Sequence, residues 1–149
     1  MKVVIQRVKQ ASCKVLENGE YRLVSKINEG LMLLVGFTHT DTKEEAIKMA
    51  KKIVDLRIFS DEEGKMNLNI KQIKGSILSI SQFTLYADTR KGNRPSFVNS
   101  MHPVIANELY EYFNECLRNL GVETKPGKFG GDMLLEPFCD GPVTIEMEY

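Results

Sequence analysis

Apolar and polar residues interleave from the start of the chain, where Val3, Ile5 and Val8 are set among Gln6, Arg7 and Lys9. Such alternation predicts a strand with one covered face. Glu17-Asn18-Gly19-Glu20 follows, and because Asn-Gly accepts the positive φ of a tight turn, Tyr21 to Ile27 is expected to return as a second strand. After Gly30 the run Leu31-Met32-Leu33-Leu34-Val35-Gly36-Phe37 shows no polar alternation, as a central strand covered on both faces would. The period then changes. Ala46, Ala50, Ile53 and Val54 recur at helical spacing behind Asp41-Thr42, with Lys43, Lys48, Lys51 and Lys52 left to solvent, and Thr42 with Glu45 fits a capping box. A second helix starts at Pro103 and carries Ile105, Leu109, Tyr112, Phe113, Cys116, Leu117 and Leu120 up to Gly121. Between the helices, Ile77-Leu78-Ser79-Ile80 predicts a buried strand, and strands return near Met133–Phe138 and Val143–Met147. The expected fold is α+β: a single domain over residues 1–149, with a mainly antiparallel or mixed β-sheet and two principal helices.

Composition narrows the function more than the fold. Twenty acidic and twenty basic residues cancel, so bulk attraction to a polyanion is absent and any phosphate contact must come from a local cluster. The cysteines, Cys13, Cys116 and Cys139, are odd in number and scattered, which points to reduced thiols and not to a disulfide framework. With only His39 and His102 as histidines and no ligand spacing among cysteines and carboxylates, no metal or cofactor is expected. No segment approaches a membrane span, and Met1 to Val15 lacks the apolar core of a signal peptide, so we expect a cytoplasmic protein with no membrane partner.

The densest candidate chemistry is Ser81-Gln82-Phe83-Thr84-Leu85-Tyr86-Ala87-Asp88, where a strand pattern continues with hydroxyl and amide groups in place of Val or Ile. Ser81 or Thr84 would need a base to act as a nucleophile, yet neither histidine sits in a triad motif and no G-x-S-x-G elbow exists. Beside that nucleophile two further readings stand: hydroxyls satisfied locally, or backbone N–H groups that stabilise a developing oxyanion. Asp140-Gly141-Pro142-Val143-Thr144 is either a plain β-turn or a rigid Gly-Pro peptide that presents its carbonyls to a ligand. The loop Arg90-Lys91-Gly92-Asn93-Arg94 is either a solvated turn or a phosphate contact. Gly127-Lys128-Phe129-Gly130-Gly131 lacks the spacing of a nucleotide-binding P-loop.

Taken in order, these segments resemble the D-aminoacyl-tRNA deacylase (D-tyrosyl-tRNA deacylase) family over essentially the whole chain. The resemblance rests on Met1 to Val8, Gly30 to Gly36, Lys65 to Leu68, Ser81 to Phe97, Gly127 to Gly130 and Asp140 to Thr144. It implies an enzyme that hydrolyses the ester of tRNA charged with a D-amino acid while rejecting L-aminoacyl-tRNA; rejection by a rigid backbone has no side chain to act on in glycine, so glycyl-tRNA is expected to be cleaved too. It also implies a homodimer whose sites are completed across the interface, with no other protein partner. Carried onto this sequence, Ser81, Gln82, Phe83 and Thr84 form the catalytic segment, with the N–H groups of Phe83 and Thr84 facing the ester carbonyl. Gly141 and Pro142, joined by a cis peptide and anchored by Arg7, reach into the neighbouring subunit's pocket. Phe129 and Met133 add substrate contacts, and Arg90, Lys91 and Arg94 meet tRNA phosphates. The sequence departs from the family at Cys139, where Asn is usual, and at Pro137, which leads us to expect an irregular strand there. The alternative is a non-catalytic nucleic-acid-binding protein on the same fold.

Overall fold

In the computed structural model, which describes residues 1–149, Asn18 and Gly19 take φ values of 52° and 83°. The chain reverses there, and β1 (Lys2–Glu17) runs back as β2 (Glu20–Ile27). At 16 residues β1 is long enough to serve several neighbours. Its first half pairs antiparallel with β3 (Gly30–Gly36), from Lys2↔Gly36 to Val8↔Gly30, and its second half pairs with β2. Then come α1 (Lys43–Asp55), a small hairpin of β4 (Phe59–Ser60) and β5 (Met66–Leu68), and β6 (Ser76–Ser81). A 3₁₀ turn (Phe83–Tyr86), α2 (Pro103–Asn119), β7 (Thr124–Pro126) and β8 (Met133–Glu148) complete the chain. The main sheet has six strands, with β3, β6 and β7 parallel and β8 antiparallel along nearly the whole of β1.

The absence of alternation in β3 now has a cause. Leu31, Leu33 and Val35 face a large core shared with Met49 and Ile53 of α1 and Phe113 and Leu117 of α2. Met32 faces the opposite way, into a smaller core with Val8, Cys13, Ile27, Leu78 and Ile80. Both faces of the strand are therefore shielded from water. The capping box of α1 is formed: Thr42 accepts from Glu44 N, and the Glu45 carboxylate accepts from Thr42 N at 2.8 Å. No helix is long and apolar enough to cross a membrane.

Three expectations need correction, and one strand was not foreseen. The strand does not continue through Ser81–Asp88; β6 stops at Ser81 and the chain tightens into the 3₁₀ turn. The two C-terminal strands are one, since β8 runs through Asp140 without a hairpin turn. The buried stripe of α2 is Ala106, Leu109, Tyr110, Phe113, Asn114 and Leu117, whereas Ile105 is exposed, so the apolar face is rotated from the one expected. Finally, β7 extends the sheet in parallel, a pairing that periodicity alone could not reveal. Pro137 itself stays in register, opposite Ala11; the irregularity falls further along β8.

Candidate functional site

The Gln82 N–H makes the last bond of the strand region, to Val35 O at 2.7 Å, after which Gln82 leaves the extended geometry. Leu85 N then donates to Gln82 O at 3.3 Å and Ala87 N to Thr84 O at 3.0 Å, which closes the 3₁₀ turn. The first N–H groups of such a turn have no partner within it. Those of Phe83 and Thr84 have no acceptor elsewhere in the chain either. The Gln82 amide donates to the Thr84 hydroxyl, and Ser100 Oγ donates to Phe83 O at 3.0 Å, tying the turn to the segment before α2.

Beside this turn lies a cavity of about 690 Å³. Ser81, Gln82 and Phe83 form one side, and Phe129 and Met133 another. At its mouth the Phe83 and Phe97 rings meet edge to face, 5.1 Å between centroids, with Phe83 57% exposed. Size and apolar lining suit a small organic group, with a few polar atoms to orient it. Gly36 underlies this arrangement: a Cβ there would stand 2.9 Å from Gln82 O and 3.2 Å from Leu85 Cβ, so only a bare glycine lets the turn come this close.

Thr84 is exposed and lies just outside the cavity lining. His102 and Asp132, which no motif marked, do line it. His102 sits at the N-cap of α2 and Asp132 just before β8, so only the assembled fold brings them together. His39, by contrast, is engaged with the loop, its Nε2 lying 2.6 Å from Val98 O. No three His, Cys, Asp or Glu side chains converge to hold a metal ion.

Arg7, Gly141 and Pro142 form a second cluster, outside the cavity lining. The ladder between β1 and β8 passes from Val8↔Cys139 to Gln6↔Thr144, so Asp140, Gly141, Pro142 and Val143 oppose Arg7 alone. The surplus backbone must bulge away from β1. It contains the cis Gly141–Pro142 peptide, and both residues are exposed. Arg7, 8% exposed, holds the base of the bulge. Its Nη1 donates to Ile58 O at 2.6 Å and its Nε to Asp140 O at 3.3 Å, with the Asp140 carboxylate at 3.3 Å as well. Gly141 has φ of +116°, and a Cβ there would lie 3.0 Å from Val143 Cγ2 and 3.2 Å from Arg7 Nη2.

The basic loop is pinched at its base, where Asp88 and Ser96 exchange N–H···O bonds of 2.7 and 2.9 Å, and residues 89–95 are exposed. Its three cations are not equivalent. Arg90 is held by Asp88 through bonds of 2.9 and 2.7 Å, and this pairing pushes the Asp88 carboxyl down to about 2. A carboxyl lowered by a partner stays ionised until the pH falls through that value, so Asp88 keeps its negative charge beside Arg90 at neutral pH and partly offsets that cation. Lys91 and Arg94 have no ion pair. If this loop meets the phosphates of a nucleic acid, Lys91→Ala or Arg94→Ala should weaken that binding and flatten its salt dependence by about one phosphate contact each. Arg90→Ala should change both less; filter binding over a salt series measures it.

The family model and the named sequence relatives agree with one another. The family model described as D-Tyr-tRNA(Tyr) deacylase matches residues 4–148. A relative named D-aminoacyl-tRNA deacylase from Staphylococcus carnosus (strain TM300) is 55% identical over 148 residues, which is 99% of this chain and 95% of that protein. The protein of that name from Bacillus pumilus (strain SAFR-032) is 51% identical over 148 residues, 99% and 98% of the two chains. Among solved structures, one described as the c-Myc DNA Unwinding Element Binding Protein superposes with a TM-score of 0.91 at 41% identity, covering 100% of this chain and 99% of that one. A probable eukaryotic D-amino acid tRNA deacylase gives a TM-score of 0.82 at 18% identity over 98% and 97% of the chains, a likeness of fold alone.

Proposed function

From the premise that the chain belongs to the D-Tyr-tRNA(Tyr) deacylase family and is a hydrolase of D-aminoacyl-tRNA, we propose how residues 1–149, acting as one deacylase-like domain, perform that reaction. The observation that carries the proposal is the cavity flanked by Ser81, Gln82 and Phe83, beside the unpartnered N–H groups of Phe83 and Thr84. An aminoacyl ester is already activated, so the site needs mainly to hold it, stabilise the oxyanion and admit water. Water adds to the ester carbonyl, and the two N–H groups face the oxygen that becomes negative. The tetrahedral adduct collapses with cleavage of the bond to the terminal ribose. The leaving ribose oxygen takes up the proton lost by water, with the neighbouring 2′-hydroxyl of the tRNA assisting the transfer. Free D-amino acid and free tRNA result.

Gly141 and Pro142 stand outside their own chain's cavity, so their part requires a second copy. In a two-fold dimer each bulge enters the neighbouring subunit's pocket, completing two sites at once. The main-chain oxygens of Gly141 and Pro142 then occupy the space that an L side chain would need, while a D side chain points away. Exclusion of this kind works by a clash and by carbonyls left unpaired, not by contacts with the accepted side chain. It is therefore indifferent to which D-residue is attached. It also has nothing to act on in glycine, so glycyl-tRNA should be cleaved too. The setting is the cytoplasm, where charged tRNA is found.

The test is release of amino acid from matched D- and L-tyrosyl-tRNA and from glycyl-tRNA. D-tyrosine and glycine should be freed and L-tyrosine retained. A glycyl ester left whole at enzyme levels that clear the D-ester would overturn the exclusion mechanism. A second reading, nucleic-acid binding without turnover, draws on the structural relative described as a DNA unwinding element binding protein. It predicts retention of both tyrosyl esters on tightly bound RNA.

Thr84 contributes its N–H in this account, while its hydroxyl receives the Gln82 amide. Thr84→Ala should thus keep activity within about tenfold of wild type, since only one orienting bond to Gln82 is lost. A fall of several orders of magnitude in single-turnover hydrolysis would make the hydroxyl a participant.

A further inference from the structure

Behind the cavity lies a polar node for which the reaction described above has no use. The Ser79 carbonyl accepts two hydrogen bonds, one from the Tyr110 hydroxyl at 2.7 Å and one from Gly127 N at 2.8 Å. Three segments are thereby fastened at one atom: β6, α2 and the loop after β7. Each leads directly to the cavity. Ser81 follows Ser79 by two residues, Phe129 follows Gly127 by two, and Ala106 of α2 forms part of the lining one helical turn before Tyr110. The Tyr110 ring also packs against that of Phe129, 5.9 Å between centroids.

Tyr110 is 1% exposed, and burial pushes its phenol above the ordinary range, so the hydroxyl remains a neutral donor. One turn further on, Asn114 is wholly buried and its amide closes no well-formed hydrogen bond, although it stands close enough to the Tyr110 hydroxyl to act on it, so a second polar side chain is kept at this node. A hydrophobic residue in place of either would fill the same space without that cost.

We propose that Tyr110 is a positioning residue for hydrolysis, fixing the distance between the Ser81-Gln82 side of the cavity and the Phe129 wall. The proposal rests on the functional reading above and extends it to a residue that touches no substrate. Tyr110→Phe removes the hydroxyl and keeps the ring. At a temperature where circular dichroism shows the protein folded, kcat on D-tyrosyl-tRNA should fall about tenfold while KM stays within about twofold, as misplacement of a reacting group predicts. An unchanged kcat with a lower Tm overturns the proposal, because the hydroxyl then only stabilises the core. So does failure of the variant to fold. A readout without turnover separates this from failure of the functional reading: the chain has no tryptophan, and Phe129→Trp supplies a single reporter on the cavity wall. Adding Tyr110→Phe should shift its emission to the red. Unaltered emission refutes the positioning role whether or not wild-type protein releases D-tyrosine.

Discussion

Gly36→Ala should lower release of D-amino acid by about 100-fold or more, the loss that an ångström of misplacement can cause. The new methyl group would meet Gln82 O at 2.9 Å and Leu85 Cβ at 3.2 Å, with no flexible side-chain tip to yield. The turn itself must move, and it carries Gln82, Phe83 and Thr84 with it. Gly36 ends β3 opposite Lys2, and its ladder partner is undisturbed by the substitution, so the protein should still fold. Single-turnover hydrolysis, with circular dichroism as the control, decides the matter. Near-normal turnover would mean that the turn's position is not critical.

Arg7→Ala should cost both stability and activity. Truncation strips the donors from Ile58 O and Asp140 O and leaves the Asp140 carboxylate without its guanidinium. The Asp140 carboxylate is partly exposed and keeps Lys9 at 3.5 Å, so the loss is chiefly that of the two bonds to backbone carbonyls, about 2 kcal/mol, to be read from urea unfolding. The bulge from Asp140 to Val143 loses its anchor at the same time, and if it completes the neighbouring subunit's site, hydrolysis falls by about 100-fold. The two variants also test each other. Gly36→Ala spoils the pocket and keeps the bulge; Arg7→Ala keeps the pocket and spoils the bulge. If two subunits share their sites, one of the two sites in a mixed dimer combines the sound pocket with the sound bulge. Co-refolded mixtures should therefore recover activity that neither parent shows. If mixing restores nothing while both chains are folded and paired, the site is not completed across subunits.

Much of the fold could be read from local pattern. The alternation in β1, the Asn18-Gly19 reversal, the two-sided apolar run of β3 and the capped start of α1 each depend on near neighbours alone. What escaped depends on long-range packing. Ile105 and Ala106 fit an apolar stripe at adjacent helical positions, and only the placement of α2 against α1 and the sheet selects the second. The parallel addition of β7 is three residues long, too short for any period to show. Within the candidate site, Ser81, Gln82, Phe83 and Phe129 stood out through two motifs and Met133 through the family resemblance alone, and the fold gathers them at one cavity. His102 and Asp132 carried no such mark, because their convergence depends on α2 and β8 being brought to the same place. Nor could the sequence distinguish Arg90 from Lys91 and Arg94: all three are cations in one loop, and only the geometry assigns Asp88 to one of them.

The pinched loop between Asp88 and Ser96 has a consequence for handling the protein. Its seven residues, 89–95, are exposed, and Arg90 and Lys91 among them make it a target for trypsin, whereas the bond after Arg94 is protected by Pro95. A nick there would sever the chain between β6 and α2 without loosening either, since one is built into the sheet and the other into the main core. The two pieces would stay together as one particle until denatured, separating only on a denaturing gel.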